Sequence, residues 1–517
     1  MSLPALLAPM FRARSGAVAL EWACQEYTFG GLDARANRMA RELTARGLGA
    51  GDRLALWLPN RLEYVDLYLA CTRLGIIVVP INVLYRERER AHILADSTPR
   101  AVVVEDPGAW DVPGIDAWSV DALAAAAAVQ PAHAPDVAVT GGTPAALVYT
   151  SGTTGPAKGA VITHANLAAN ARTLVDAWRF SASDRLLLAL PLFHVHGLGN
   201  GVHCWLLSGC RARLLARFDQ ASAAATFLDF QPTVFFGVPT MFVRLLDVDP
   251  GQARRIGLAL RLCVSGSAPL PAQVLHDFEK LYGQRILERY GMTETLMTLS
   301  NPYDGERRAG TVGLPLPGVS VRIVDGNGAP VADMEDGELL VQSPTVCDGY
   351  WNRPRRDGGR VDRRVVQDRR HRASCAGRVH HAAGPARRRH HLGRLQHLSA
   401  GDRGASGRAS GGGRSVGCRH ARSGAWRGAG RLRRAVRGRL GRGRGAGRVL
   451  PRPSGVVQDT AADRVRGAAA EDGAGKGAEA GAEADAGRRG GLRNSRIWLP
   501  AVQPSRPCRA SPWPARR

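Results

Sequence analysis

No apolar run in this 517-residue chain reaches the roughly 20 residues that a membrane-spanning helix needs. The apolar part of the opening stretch MSLPALLAPMFRAR is also too short for a secretory signal. A soluble, cytoplasmic protein is therefore expected. The nine cysteines include no CxxC pair and no metal-ligand spacing, which fits reduced thiols in a cytosolic protein. Acidic residues are scarce in one place only. From Arg355 onward 39 Lys+Arg face 11 Asp+Glu, a net +28, whereas the residues before it carry −3 of the chain's +25. The body thus reads as a near-neutral globular protein, and the overall basicity that would suggest a nucleic-acid binder belongs wholly to the tail.

What is present, from residue 15 to about 350, is an alternation of short β-rich runs with longer helical segments. DRLALWLP, IIVVPIN, RAVVVED, AALVYT, DRLLLALPL, PTVFFGVP and LRLCVSGSA read as apolar strands. YTFGGLDARANRMARELTARGL and QVLHDFEKLYG carry the apolar spacing of helices. Strand and helix in repetition predict an α/β fold with mostly parallel sheets covered by helices on both faces. VSVRIVDGNGAPV predicts a hairpin on a DGNG turn and GELLVQSP a further strand, so the body closes with a small antiparallel β-unit. After Pro354 the apolar periodicity disappears and Arg, Gly and Ala dominate, a composition from which no packed core follows. Two regions are expected: a body at 1–354 and a tail at 355–517 with no predicted fold.

The chemistry concentrates in VYTSGTTGPAKG, residues 148–159. A strand runs into a loop whose glycines, Gly152 and Gly155, let backbone N–H groups converge on one point. Thr150, Ser151, Thr153 and Thr154 add hydroxyl donors, and Lys158 adds a positive charge. Such a loop suits a polyphosphate, although its spacing is not the Walker pattern. A flexible surface turn would explain any fragment of it but not the whole.

Together with PLFHVHG (191–197), FFGVPTM (235–241), VSGSAPLP (264–271), RYGMTET (289–295) and GELLVQSPTVCDGYWNRP (337–354), this stretch resembles the adenylate-forming acyl-CoA synthetases, over roughly residues 15–354. The resemblance implies a large N-terminal adenylating domain followed by a mobile α+β C-terminal domain. It also implies an enzyme that joins a carboxylate to the α-phosphate of ATP and then transfers the acyl group to CoA, with Mg²⁺ as cofactor. By the same resemblance Lys158, His194, Thr293 and Glu294 are catalytic, with Thr154 and Glu294 toward the metal and Thr293 toward the α-phosphate. Thr150, Ser151, Gly152, Thr153, Thr154 and Gly155 would hold the phosphates. The turn of Gly266, Ser267, Ala268 and Pro269, with Tyr290, Gly291, Met292 and Thr293, would form the nucleotide slot, although Tyr290 alone would read as a core aromatic. His194 lines the acyl entrance or holds the carboxylate near the phosphate, and His196 is the weaker candidate; either also fits a structural histidine.

PLFHVHGL, RYGMTETLM and NPYDGERRAGTVGLPLPGV look most like the malonyl-CoA synthetase branch. A dicarboxylate needs a cation for its non-reacting end, and Arg244 and Arg289 are the candidates. Medium-chain, long-chain or aromatic acids are the alternative, since an acyl pocket for those would want apolar residues there. A further alternative, of another class, is a nucleic-acid-binding protein with an Arg/Gly arm.

The family continues after YWNRP with a segment close to WTDGWFKTGD; this chain has VDRRVVQDRRHR. Read one base further along, the codons of Val361 to His371 permit WTDGWFKTGDI. Those of Val379 to Pro385 permit YITLLGR, those of Arg394 to Arg403 permit GFNIYPREIE, and those of Ala470 to Gly477 permit PKTALGKV. One extra base at the Pro354/Arg355 junction, or the loss of two, accounts for all four windows. The tail therefore reads as an out-of-frame translation of the C-terminal domain. The ribose aspartate, the hinge arginine and the catalytic lysine that the family carries there are missing, and Lys476 does not replace the last.

Overall fold

The computed structural model describes residues 1–353 apart from 111, 113, 151–155 and 333–335, together with the backbone of the strands Val361–Asp362, Val365–Ala376 and Val379–Ala383. The described strands form three sheets. In the first, the order is Asp116–Ser119, Ala101–Val104, Arg53–Leu56, Ile77–Pro80, Pro144–Thr150 and Lys158–Thr163. All neighbours are parallel until the last pair, which is antiparallel. The second is a nine-stranded sheet. Six strands, Leu287–Met292, Leu262–Ser265, Val234–Gly237, Arg185–Leu188, Arg211–Leu214 and Val18–Trp22, run parallel in that order. Antiparallel partners close both edges, Gln25–Thr28 on one side and Leu296–Ser300 with Leu314–Pro315 on the other.

The strands expected from their apolar runs are central ones. Ile77–Pro80, Ala101–Val104, Val234–Gly237 and Leu262–Ser265 are buried at every position, because helices cover both faces of a parallel sheet and leave neither to water. The helix Phe29–Ala45 shows the covering logic. Thr28 caps it by accepting from Gly31 N–H, and Phe29, Leu32, Ala36, Met39, Ala40 and Leu43 bury one stripe. Each fully buried large apolar side chain contributes roughly 1.5–3 kcal/mol. The sequence reading assigned no element before residue 15, yet Leu3–Ala13 is a helix whose Leu3, Leu7 and Phe11 enter the same core as Phe29.

The third sheet is antiparallel and runs Ser320–Val324, Gly337–Gln342, Val365–Ala376 and Val361–Asp362, with Val379–Ala383 pairing to Val365–Ala376. Here the expected hairpin is shorter than the reading. Asp325 and Gly328 do close a turn, and Val324 bridges Pro330, but the true partner of Ser320–Val324 is Gly337–Gln342. The tail, expected to have no fold, thus contributes the backbone of three strands to this sheet; the rest of it lies outside the described residues. Among the described residues no helix is long and apolar enough to cross a membrane.

Candidate active site

Thr150 ends one strand and Lys158 begins its antiparallel neighbour, and the two are register partners. The loop between them is therefore closed at its base by the sheet itself; Ser151, Gly152, Thr153, Thr154 and Gly155 lie outside the described residues. Facing this base is the tip joining Leu287–Met292 to Leu296–Ser300, which carries Thr293, Glu294 and Thr295, all buried. The tip is tight. Thr295 N–H returns to the Met292 carbonyl, Leu296 sits at φ +51°, and a Cβ on Gly291 would collide with the Leu296 carbonyl oxygen. Positive φ at a leucine is a strained backbone of the kind that persists where surrounding structure over-determines it.

Glu294 is fully buried. Its Oε1 accepts from the Thr150 hydroxyl at 3.3 Å and from the Tyr350 hydroxyl at 3.0 Å. Lys158 Nζ lies 5.4 Å from the centre of the Tyr350 ring, within cation–π range. Thr150, Lys158 and Glu294 were expected from the sequence. Tyr350 was not given a role, although it sits in the quoted DGYWNRP, because nothing in its spacing shows that the chain returns across Lys158–Thr163. That return is fixed by Ala160 bridging Tyr350 and by Trp351 N–H donating to the Gly159 carbonyl at 2.8 Å.

On the other side of the tip, Arg289 projects under the turn at Gly266. A Cβ on Gly266 would stand 2.5 Å from Arg289 Nε and 2.6 Å from Nη1, so the guanidinium packs directly against this turn and would have to shift for a larger residue. Arg289 is buried, and its Nε and Nη2 have no hydrogen-bond partner. No carboxylate pairs with it among the described residues. Burial lowers its pKa to about 9, so it remains a cation at neutral pH. An isolated buried charge is costly, and among the described residues no counter-charge offsets this one.

Two histidines neighbour it. His196 is buried, stacks on Phe236 at 6.2 Å and 26°, and places Nδ1 3.1 Å from Ser267 Oγ, leaving Nε2 without a partner. Burial and the Arg289 charge hold its pKa well below the usual value. His194 accepts the His196 N–H at 3.2 Å. Its side chain is open to solvent, but it lies in a recess, and the surrounding protein with Arg289 lowers its pKa to about 4. Both rings are neutral near pH 7. The ranking of the two histidines from sequence is reversed in burial: His196, the weaker candidate, is the enclosed one.

Of the other expected residues, Gly266 is buried while Ser267, Ala268 and Pro269 are exposed, with Ser267 at φ +70°. Tyr290 is buried in an apolar cluster with Leu299, Val312, Leu339 and Val341, and Gly291 and Met292 are half-buried. Arg244 is exposed at the end of the helix Pro239–Leu245. The structure thus separates the two candidate arginines, one enclosed beside the histidines and one in water.

Mg²⁺ keeps several waters and is commonly held by one or two carboxylates plus substrate phosphate oxygens. Glu294, a buried carboxylate opposite the base of the Gly/Thr loop, fits that pattern, and the absence of any cluster of three His, Cys, Asp or Glu among the described residues is compatible with it.

The molecule can now be set beside known proteins. A malonate–CoA ligase of Arabidopsis thaliana is 34% identical over 342 residues, covering 59% of this chain and 54% of that protein. The ATP-bound structure of MatB from Rhodopseudomonas palustris superposes with TM-score 0.68 at 36% identity, over 74% of this chain and 79% of that one. A malonyl-CoA ligase ternary product complex with methylmalonyl-CoA and AMP bound superposes with TM-score 0.62 at 36% identity, over 71% and 77%. The chain spans little more than half the length of the first curated relatives it matches, 57% and 54%. The AMP-binding enzyme family matches residues 10–351, a span that contains the loop base, the Glu294 tip and the arginine–histidine recess, and the chain belongs to that family.

Proposed function

We propose that residues 1–354 carry the adenylating half of an AMP-forming acyl-CoA ligase whose acid is a small dicarboxylate, malonate or methylmalonate. The carrying observation is Arg289, a buried cation without a carboxylate, beside two neutral histidines. A fatty or aromatic acid would leave that charge unpaired; the second carboxylate of a dicarboxylate would satisfy it. Relatives named for malonate, and a neighbour holding methylmalonyl-CoA and AMP, support the same reading.

In the reaction an oxygen of the substrate carboxylate bonds to the α-phosphorus of ATP, the α–β phosphoanhydride breaks and pyrophosphate leaves. The CoA thiol then attacks the acyl carbon and AMP departs. Lys158, the loop hydroxyls and the loop N–H groups would hold the polyphosphate, and Mg²⁺ at Glu294 would supply charge neutralisation as pyrophosphate separates. Arg289 would fix the distal carboxylate, with His196 Nε2 beside it as a further polar contact. Arg244, exposed, is the weaker candidate for that role.

The tail bears on the second half. Four codon windows that restore the family's C-terminal segments support a frame slip at the Pro354/Arg355 junction. The written chain then lacks the lysine that neutralises charge in adenylation and the domain that completes the thioester step. The test is to remove one base at that junction and compare the two proteins. ATP–pyrophosphate exchange dependent on malonate, and malonyl-CoA formation, should both rise by orders of magnitude on restoration. Equal malonyl-CoA formation by both chains would refute the impairment, and faster exchange with octanoate or benzoate than with malonate would refute the dicarboxylate.

A further inference from the structure

We infer that the helix Glu87–Ser97 fixes the two strand ends, Tyr149–Thr150 and Ala157–Lys158, from which the phosphate loop springs, with His92 and Asp96 as positioning residues; the inference rests on the adenylating reading above. Tyr149, the residue before Thr150, donates its hydroxyl to Asp96 Oδ2 at 2.8 Å. Ala157, the residue before Lys158, accepts from His92 Nε2 at 2.7 Å. A carbonyl oxygen can only accept, so Nε2 is the protonated nitrogen of His92. His92 and Asp96 are four residues apart, on one face of one helix. One helical turn therefore grips the chain on both sides of the loop.

Three further contacts make the grip specific. The His92 and Tyr149 rings meet edge to face at 6.5 Å and 87°. The Tyr149 ring covers Gly159, where a Cβ would come within 3.0 Å of Tyr149 Cζ, so the ring position and the Lys158–Gly159 backbone are fixed together. The Asp96 carbonyl accepts from Asn352 Nδ2 at 2.9 Å, tying the same turn to the segment whose Tyr350 hydroxyl meets Glu294. The first strand of the loop, the second strand and the Tyr350 segment all converge on residues 92–96. Among the described residues neither His92 nor Asp96 bonds to a group expected to meet nucleotide; they act through Tyr149, Ala157 and Asn352. No sequence motif marks them.

A residue that only supports the fold would, when lost, weaken every nucleotide alike. One that sets the loop should affect ligands that reach the loop and spare those that do not. The experiment measures dissociation constants of MgATP and of AMP for the full 517-residue chain and its variants, with the thermal midpoint alongside. His92→Ala should weaken MgATP about tenfold, the loss of one well-placed hydrogen bond of about 1.4 kcal/mol, and leave AMP within about twofold. His92→Gln, which keeps a donor at similar reach, should recover most of the loss. Where the alanine variant unfolds, His92→Leu, of similar volume and without a donor, carries the comparison. Equal weakening of both nucleotides, or unchanged MgATP binding in the folded His92→Ala or His92→Leu chain, overturns the inference. A wild-type chain that binds neither nucleotide overturns the adenylating reading itself, a different outcome.

Discussion

The two halves of the site are built on opposite terms. On the nucleotide side the polar groups are bonded to one another before any ligand arrives: Thr150 and Tyr350 to Glu294, Lys158 over the Tyr350 ring. On the acyl side they are left waiting. Arg289 Nε and Nη2 and His196 Nε2 are buried with no hydrogen-bond partner. Leaving buried polar groups unmade costs of the order of 1–3 kcal/mol each, so the fold carries a penalty of that kind around Arg289 and His196. In the proposed function the first arrangement would pre-position a charge for the nucleotide, and the second would leave a cation for the distal carboxylate of the acid to pair.

The comparison is broken most directly at Arg289. Arg289→Met keeps a long side chain and removes the unpaired charge. In the frame-restored protein kcat/KM for malonate should fall by about 10³, in line with losing a buried charge-assisted pair. The thermal midpoint should rise, because the cost of burying the charge is gone. A variant that loses activity and stability together would show that Arg289 is paired in the folded protein and that the acyl side is no less satisfied than the nucleotide side.

Glu294→Gln tests the other half. It preserves shape and the hydrogen bonds from Thr150 and Tyr350 but removes the negative charge. Malonate-dependent ATP–pyrophosphate exchange should drop about 10²-fold, the scale of losing one electrostatic contribution to a transition state, and excess Mg²⁺ should recover part of it. Unlike Arg289→Met, it should slow every acid equally. A selective loss with malonate alone would put Glu294 on the acyl side and erase the distinction.

How much of this could be read from the chain before its structure follows the same division. The strand preceding the loop, the Gly/Thr/Lys loop and the TET tip are contiguous in sequence, and their chemistry is legible because each segment carries its own motif. Thr150, Lys158 and Glu294 are candidates on that ground, and the structure brings them together. Tyr350, His92 and Asp96 were not, since each acts across 50 or more residues of chain and a single sequence holds no record of such pairing. Arg289 was legible as a candidate, but the difference between it and Arg244 was not: one is buried and the other exposed, and burial is a property of the folded chain. The apolar strands were equally plain, whereas the partner of Ser320–Val324 was misread because a DGNG turn signals a local hairpin and the sheet chose a strand further on.

A pH titration sharpens the comparison without a mutation. Burial depresses the Arg289 pKa to about 9, so the folded protein releases this proton more readily than the unfolded chain does. Charge on the acyl side is present below pH 9 and lost above it. Malonate affinity should therefore be flat from about pH 7 to 8.5 and then fall toward tenfold per unit, while the Arg289 contribution to stability improves over that same range because the unfolded chain still binds the proton. Arg289→Met should flatten both trends. MgATP affinity, governed by the other half, should show no break near pH 9; a shared break would mean that one group serves both ligands.

The smallest effect is expected at Tyr350. Tyr350→Phe retains the ring under Lys158, and with it the cation–π contact, and removes only the hydroxyl that donates to Glu294. Thr150 still donates to the same oxygen, so the carboxylate is not stranded. A hydrogen bond to a charged group contributes about 1.5 kcal/mol at the low end once water's alternative is counted, and exchange should slow about tenfold for every acid. Adding Thr150→Val to Tyr350→Phe should then cost more than the two single changes together, because the second donor is lost only when the first cannot compensate. Strict additivity would mean that the two hydroxyls hold Glu294 independently, and a Tyr350→Phe loss larger than that of Glu294→Gln would mean that the phenol contacts the nucleotide itself rather than the carboxylate.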